Sequence, residues 1–198
     1  MNNLPEQGPI LDDEKELLQA LIKMHNPDVV VEFGFFWGKS AKAMLAVMHD
    51  ESILYSYDST RKECDAYRVM ENHPRFKFFN KCQTEFHPVD VNYARIDLVF
   101  IDASHNFDKN CKTYQLLLPF LSERAIIIVH DTGLWKENIY NVNWGNKVYA
   151  GFAHEPEERR FVNWIHLNHP EWQQIHLNNT RNLSHGFTIL QKYNFLEI

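Results

Sequence analysis

Two runs of this chain have no polar face. Val29-Val30-Val31 and Ala125–Val129 (AIIIV) are apolar at every position. A strand of that kind needs cover on both sides, which places it inside a parallel sheet flanked by helices. The neighbouring runs agree. Asp28–Phe33, Ile53–Tyr57, Phe76–Phe79, Asp97–Ile101 and Ala125–Val129 are short, rich in β-branched and aromatic residues, and bounded by polar or turn residues. Between them lie segments with helical spacing. Glu14–Met24 aligns Leu17, Leu18, Leu21 and Ile22, Lys39–Met48 aligns Ala41, Met44, Leu45 and Met48, and Tyr114, Leu117, Leu118 and Leu121 precede the last apolar run. Alternation of this type predicts an α/β fold of Rossmann-like, doubly wound form. Glu155–Leu167 reads as a further helix. Trp172–Leu177 and Phe187–Tyr193 then follow each other with no helix between, so the mostly parallel sheet should close with an antiparallel C-terminal hairpin.

The 198 residues suit a single domain, with residues 1–26 as an N-terminal helical cap. The segment 133–153, rich in Asn, Gly and Trp and without a clear period, is expected to be an irregular lid or substrate loop. Net charge is −6 and no Lys/Arg run exists, which argues against nucleic acid and anionic membranes as partners. The N-terminal LDDEKELL is acidic where a signal peptide is basic. Cys64, Cys82 and Cys111 are scattered, with no CxxC pair, as in a reduced, cytoplasmic protein. The amphipathic first helix is suited to cover its own site or a neighbour's in a homo-oligomer.

The chemistry concentrates at strand ends. Glu32-Phe-Gly34-Phe-Phe-Trp-Gly38-Lys-Ser40 carries a buried strand through two glycines into a helix. Glycine allows positive φ and close backbone approach, and the crevice beyond the strand ends is where open α/β sheets bind ligands. Asp58 ends the next strand, placed to accept hydrogen bonds from two ribose hydroxyls. The pair also suits a nicotinamide dinucleotide, and so an NAD-dependent oxidoreductase. Phe36, however, stands where that fingerprint needs a glycine to admit a pyrophosphate. The loop fits a nucleoside-bearing ligand without phosphates.

With VVVEFGFFWGKS, YDS at Asp58, LVFIDASHNFD, IIIVHDT and HGFTILQK in this order, the chain resembles the class I S-adenosylmethionine-dependent methyltransferases of the small-molecule O-methyltransferase type. The resemblance implies a seven-stranded sheet with a reversed last strand, S-adenosylmethionine as cofactor, and a small-molecule hydroxyl as methyl acceptor. It assigns Gly34, Gly38 and Ser40 to the loop along the methionine moiety and Glu32 to the acid of the first strand. Asp58 matches the ribose acid, Cys82 and Gln83 the adenine wall, and Asp102 the acid near the cofactor's amino group. Metal-dependent relatives place a general-base lysine three residues after the fourth-strand Asp, where this chain has His105. They hold a cation with that Asp and an Asp-Asn pair ending the fifth strand, where this chain has His130-Asp131. The resemblance therefore implies His105, with His130 as second choice, as the base. It also implies Asp102, His130 and Asp131 as ligands of a divalent cation, Mg or, with a nitrogen in the set, more suitably Mn or Fe. A cofactor-binding paralogue without catalysis is the remaining alternative; it would be expected to lose the polar cluster at Asp102, His105 and Asp131.

Overall fold

The computed structural model describes residues 10–60, 68, 70–133, 142–144, 147–149, 157–178 and 186–192, with backbone only for 142–144 and 147–149. The N-terminal nine residues of the expected cap, most of segment 133–153, Cys64 and His185 lie outside the described residues.

The described chain runs α1 (Asp12–His25), β1 (Val29–Phe33), α2 (Lys39–Leu45), β2 (Ile53–Tyr57), β3 (Phe76–Phe79), β4 (Ile96–Ile101), α3 (Phe107–Leu117), β5 (Leu121–His130), β6 (Val142–Trp144), β7 (Lys147–Tyr149), α4 (Glu157–Asn168), β8 (Trp172–Asn178) and β9 (Gly186–Lys192). Seven strands form one sheet in the order β3-β2-β1-β4-β5-β9-β8. The first five are parallel, and β9 and β8 are antiparallel, so the α/β fold with its reversed C-terminal hairpin is as expected. Inside the segment that reads as irregular, β6 and β7 pair antiparallel. Three-residue strands are too short to display a two-residue period, which is why the pattern was not visible.

Strand alternation divides the core in two. Val30, Leu98, Phe100, Ile126 and Ile128 pack with Leu18 and Ile22 of α1 and Ala41 and Met44 of α2. Val31, Phe33, Val99, Ile101, Ile127 and Val129 face the opposite side, against Tyr114 and Leu117 of α3 and Phe161, Val162 and Ile165 of α4. Each side chain on the central strands is therefore assigned to one helical layer by its odd or even place. α1 ends at Asn26, which adopts a left-handed conformation (φ 50°) and returns its N–H to Ile22; Pro27 then prevents continuation. No helix among the described residues is long and apolar enough to cross a membrane.

The lower edge of the sheet is pinned by one acid. The register of β4 on β5 shifts between Ile96 and Leu98, at Asp97. Its carboxylate accepts the N–H of Asp28 at 3.0 Å and of Val29 at 3.2 Å, with Arg124 Nε 3.3 Å away. Burial works to raise the Asp97 carboxyl, but the Ser122 hydroxyl, these N–H groups and Arg124 outweigh it and hold it below the usual range. Asp97→Ala strands two donors at the start of β1. We expect urea denaturation to show a loss on the order of 3 kcal/mol.

Candidate active site

The strand order reverses between β1 and β4: β2 and β3 extend one way, β5 the other. Loops leaving β1 and β4 diverge there and open a crevice. Its floor is a close crossing. Asp102 N–H donates to Phe33 O at 2.8 Å and Gly34 N–H to Tyr57 O at 2.9 Å. A Cβ on Gly34 would lie 1.8 Å from the Asp102 carbonyl oxygen, and Gly34 has φ +100°, so only glycine fits. Gly38 (φ +68°) precedes α2, and a Cβ there would meet the Phe35 ring at 2.6 Å. Phe36 between them has φ +44°, a strained value for a bulky residue. Its N–H is held by Asp58 Oδ2 at 2.8 Å. Asp58 Oδ1 accepts from Thr60 N–H at 2.8 Å, and a carboxylate retains acceptor directions beyond these two.

Glu32 lies beneath this loop and is fully buried. Ser40 Oγ donates to Oε1 at 2.5 Å, and Ser56 Oγ donates to Oε2. Glu32 and Ser40 thus brace β1, β2 and the start of α2 from below and leave the crevice surface to Gly34, Phe36, Gly38 and Asp58. Burial pushes the Glu32 carboxyl up to about 7 against the pull of the two hydroxyls, with the charges of Asp102 and Asp58 adding to the rise.

Beyond β3, Cys82 is half-buried, and Gln83 begins a short 3-10 turn, Gln83–Glu85. The Gln83 amide is turned inward: Nε2 donates to Asn110 Oδ1 at 2.8 Å and Thr113 Oγ1 at 3.1 Å, and Oε1 accepts from Ser104 N–H at 3.2 Å. Its side chain ties this turn to α3 and to the loop after β4, whereas the sequence suggested a lining role. Burial tends to raise the Cys82 thiol, yet Thr84, through its hydroxyl and backbone, and Lys109 bring it below its usual value.

At the ends of β4 and β5 a second group converges. One ligand-type atom each from Asp102, His105 and Asp131 lie within 4.8 Å of one another. His105 and Asp131 have φ of 40° and 58°. His105 Nε2 lies 3.7 Å from Asp131 Oδ2, while Nδ1 is 2.6 Å from Glu158 Oε1 on α4. Burial works to lower the His105 imidazole, but the hydrogen bond and charge of Glu158, with Asp131 and Asp102, raise it to about 9. His130 is placed differently. It is 1% exposed, with Nε2 3.1 Å from Glu14 Oε2 of α1 and Nδ1 3.3 Å from Asp102 Oδ1 and 3.4 Å from Asp131 Oδ1. Burial opposes its protonation, and Asp131, Asp102 and Glu14 more than reverse that, raising it well above the usual value.

A glycine loop at the switch point, an acid ending the next strand and an acidic cluster beyond it lie in one crevice. The model of the family described as "Methyltransferase domain" matches residues 31–132, just over half the chain. The chain belongs to the methyltransferase-domain family. Among solved structures, it is similar to an O-methyltransferase from Bacillus cereus in complex with S-adenosylhomocysteine, at 16% identity and TM-score 0.68, over 96% of this chain and 85% of that one. It is similar also to a methyltransferase from Podospora anserina with the same ligand, at 16% identity and TM-score 0.69, over 97% and 83%. A third is an O-methyltransferase from Streptomyces achromogenes involved in tomaymycin synthesis, in complex with S-adenosylmethionine, at 16% identity and TM-score 0.65, over 97% and 84%. No curated protein matches the chain in sequence.

Family membership displaces the NAD-dependent oxidoreductase alternative. Within this methyltransferase domain, Gly34, Gly38, Asp58 and Asp102 lie around one crevice. Both histidines approach the carboxylates of Asp102 and Asp131: His105 in the group that faces the crevice, and His130 through Nδ1 from below. The sequence set His130 among both ligands and bases; its ring is buried and lies between Glu14 of α1 on one side and the carboxylates of Asp102 and Asp131 on the other. Glu14 and Glu158 were missed. Each continues a buried helical stripe, Glu14-Leu18-Ile22 and Glu158-Phe161-Val162-Ile165. A carboxylate in such a stripe is a core position given to a charge, which requires a partner.

Glu32 has a raised folded-state value, so the folded protein binds more protons than the unfolded one between about 4.5 and 7, and its contribution to stability falls as pH rises through that window. Denaturation across this range should show wild type losing about 3 kcal/mol relative to Glu32→Gln, which has no proton to lose.

Proposed function

We propose that this methyltransferase domain transfers the methyl group of S-adenosylmethionine to the hydroxyl of a small molecule. The observation that carries the reading is the close crossing of Gly34 and Asp102 at the switch point, which brings the glycine loop, Asp58 and Asp102 to one crevice. Asp58, fixed by two backbone N–H groups, would use its remaining acceptor directions for the ribose hydroxyls. Gly34 and Gly38 would let the methionine moiety lie against backbone, above the brace of Glu32 and Ser40. Asp102 would face the amino group. The Cys82 thiol and the backbone at Gln83 would bound the adenine, with the Gln83 side chain fixing that wall from behind. Phe36 stands where the dinucleotide fingerprint has a glycine to admit a pyrophosphate, which supports a ligand with a nucleoside and no phosphates.

The sulfonium supplies an activated methyl group. The protein's task is to hold an acceptor oxygen in line with it and to assist loss of the hydroxyl proton. In that transfer the O–C bond would form as the C–S bond breaks, sulfur would keep the electron pair as a neutral thioether, and the hydroxyl proton would leave to a group at this end of the crevice or to solvent. Asp102, His105 and Asp131 are the polar groups retained at this end of the crevice, which supports a catalytic protein over a cofactor-binding paralogue. A small acceptor accords with the absence of a basic Lys/Arg run in this chain of net charge −6.

Calorimetry with S-adenosylhomocysteine tests the cofactor assignment. Wild type should bind with one site per chain, and Asp58→Ala should weaken binding by about 10- to 100-fold through loss of charge-assisted hydrogen bonds. No heat at millimolar ligand would reject the assignment.

A further inference from the structure

We infer that Glu14, on α1 beneath the crevice, is a positioning residue for cofactor binding: through the ring of His130 it sets where the carboxylate of Asp102 comes to rest. The role rests on the S-adenosylmethionine reading above, which puts Asp102 at the cofactor's amino group.

The ring of His130 has an acid at each nitrogen. Nε2 is 3.1 Å from Glu14 Oε2, and Nδ1 is 3.3 Å from Asp102 Oδ1 and 3.4 Å from Asp131 Oδ1. An imidazole is a rigid plane, so a displacement imposed at one nitrogen is carried to the other. Two neighbouring rings narrow the ways it can move. Phe187 of β9 stands 5.2 Å away at 61°, and Phe100 of β4 stands 6.2 Å away at 42°. The side chain of His130 is fully buried. Within that slot, the place of Nδ1 depends on what holds Nε2.

Glu14 is itself firmly held. Its Oε2 accepts the N–H of Leu11 at 3.0 Å, which closes the first turn of α1 onto this side chain. It is 5% exposed and lies one turn before Leu18 and two before Ile22, both packed against Val30, Leu98 and Phe100. The other end of the chain of contacts is less settled. The Asp102 and Asp131 carboxylates approach the same nitrogen, and like charges that meet at one point repel each other. The ring between them and Glu14 opposes that repulsion. Without Glu14 the ring is free to shift at its Nε2 end, and Asp102 shifts with it. A helix on one face of the sheet thereby enters the recognition of an amino group at the strand ends, from a residue below the crevice.

Calorimetry with S-adenosylhomocysteine and with its deamino analogue, in which hydrogen replaces the amino group, isolates the contact in question. Wild type should favour S-adenosylhomocysteine. Glu14→Ala should reduce that preference about 5- to 30-fold, with the affinity for the analogue within about twofold of wild type. A merely structural loss would lower both affinities together. Glu14→Gln, whose amide oxygen can still accept from Leu11 and His130, should keep most of the preference. With Asp102→Asn already in place, Glu14→Ala should change the preference little, because its effect passes through that carboxylate. Equal weakening of both ligands in Glu14→Ala, complete loss of binding included, overturns the positioning role. An unchanged preference in that variant also overturns it. Wild type that binds neither ligand overturns the cofactor assignment instead. Wild type that binds the two equally overturns the placement of Asp102 at the amino group.

Discussion

The approach of Gly34 to the carbonyl of Asp102 is the constraint on which the rest of this crevice depends. A side chain at residue 34 would overlap that oxygen, so the ends of β1 and β4 would have to separate. Asp102 is bonded through its N–H to Phe33 and through its carboxylate it faces His130. Any shift there would move both the glycine loop and the cluster beyond it. One missing Cβ therefore couples the proposed cofactor side of the crevice to the proposed acceptor side. The coupling is geometric: the two sides share a backbone crossing.

Around that crossing the chain gathers more negative charge than an interior normally accepts. Glu32 is sealed below the loop with two hydroxyls for partners. Glu14, Asp102, Asp131 and Glu158 surround two histidines. Isolated buried carboxylates are costly, and each here has a hydrogen-bond or ionic partner. The two histidines divide the work by depth. His130, under the surface, links the α1 carboxylate to those of β4 and β5. His105, at the surface and half-exposed, is held by the α4 carboxylate with its second nitrogen toward the crevice.

Much of this was legible in local sequence. The apolar runs VVV and AIIIV required a parallel sheet covered on both faces, and Gly34, Gly38, Asp58 and Asp102 sit at strand ends that any correct strand assignment would bring together. The burial of His130 was also legible, in the two-residue period of β5. Ile126 and Ile128 face the α1 layer, and His130 is the next residue in that alternation. The partners of the two histidines were not legible as pairs. Glu14 is 116 residues from His130 and Glu158 is 53 residues from His105, and nothing local joins them. The side-chain partners of Gln83 were not legible for a similar reason. Its side chain has two partners on α3, a helix that begins more than twenty residues later.

The two helices that supply those acids explain why the cluster is placed so definitely. α1 packs on one face of the sheet and α4 on the other. Each offers a carboxylate as the first, N-terminal element of a buried stripe, directed to a different histidine. Neither acid could be held there by a surface loop, since an exposed ion pair contributes little and tolerates many geometries. Set in a packed stripe, each carboxylate has its position fixed by the aliphatic and aromatic residues one and two turns along. The hydrophobic packing of α1 and α4 thereby becomes positional accuracy at the strand ends, where a misplacement of about 1 Å is enough to impair chemistry.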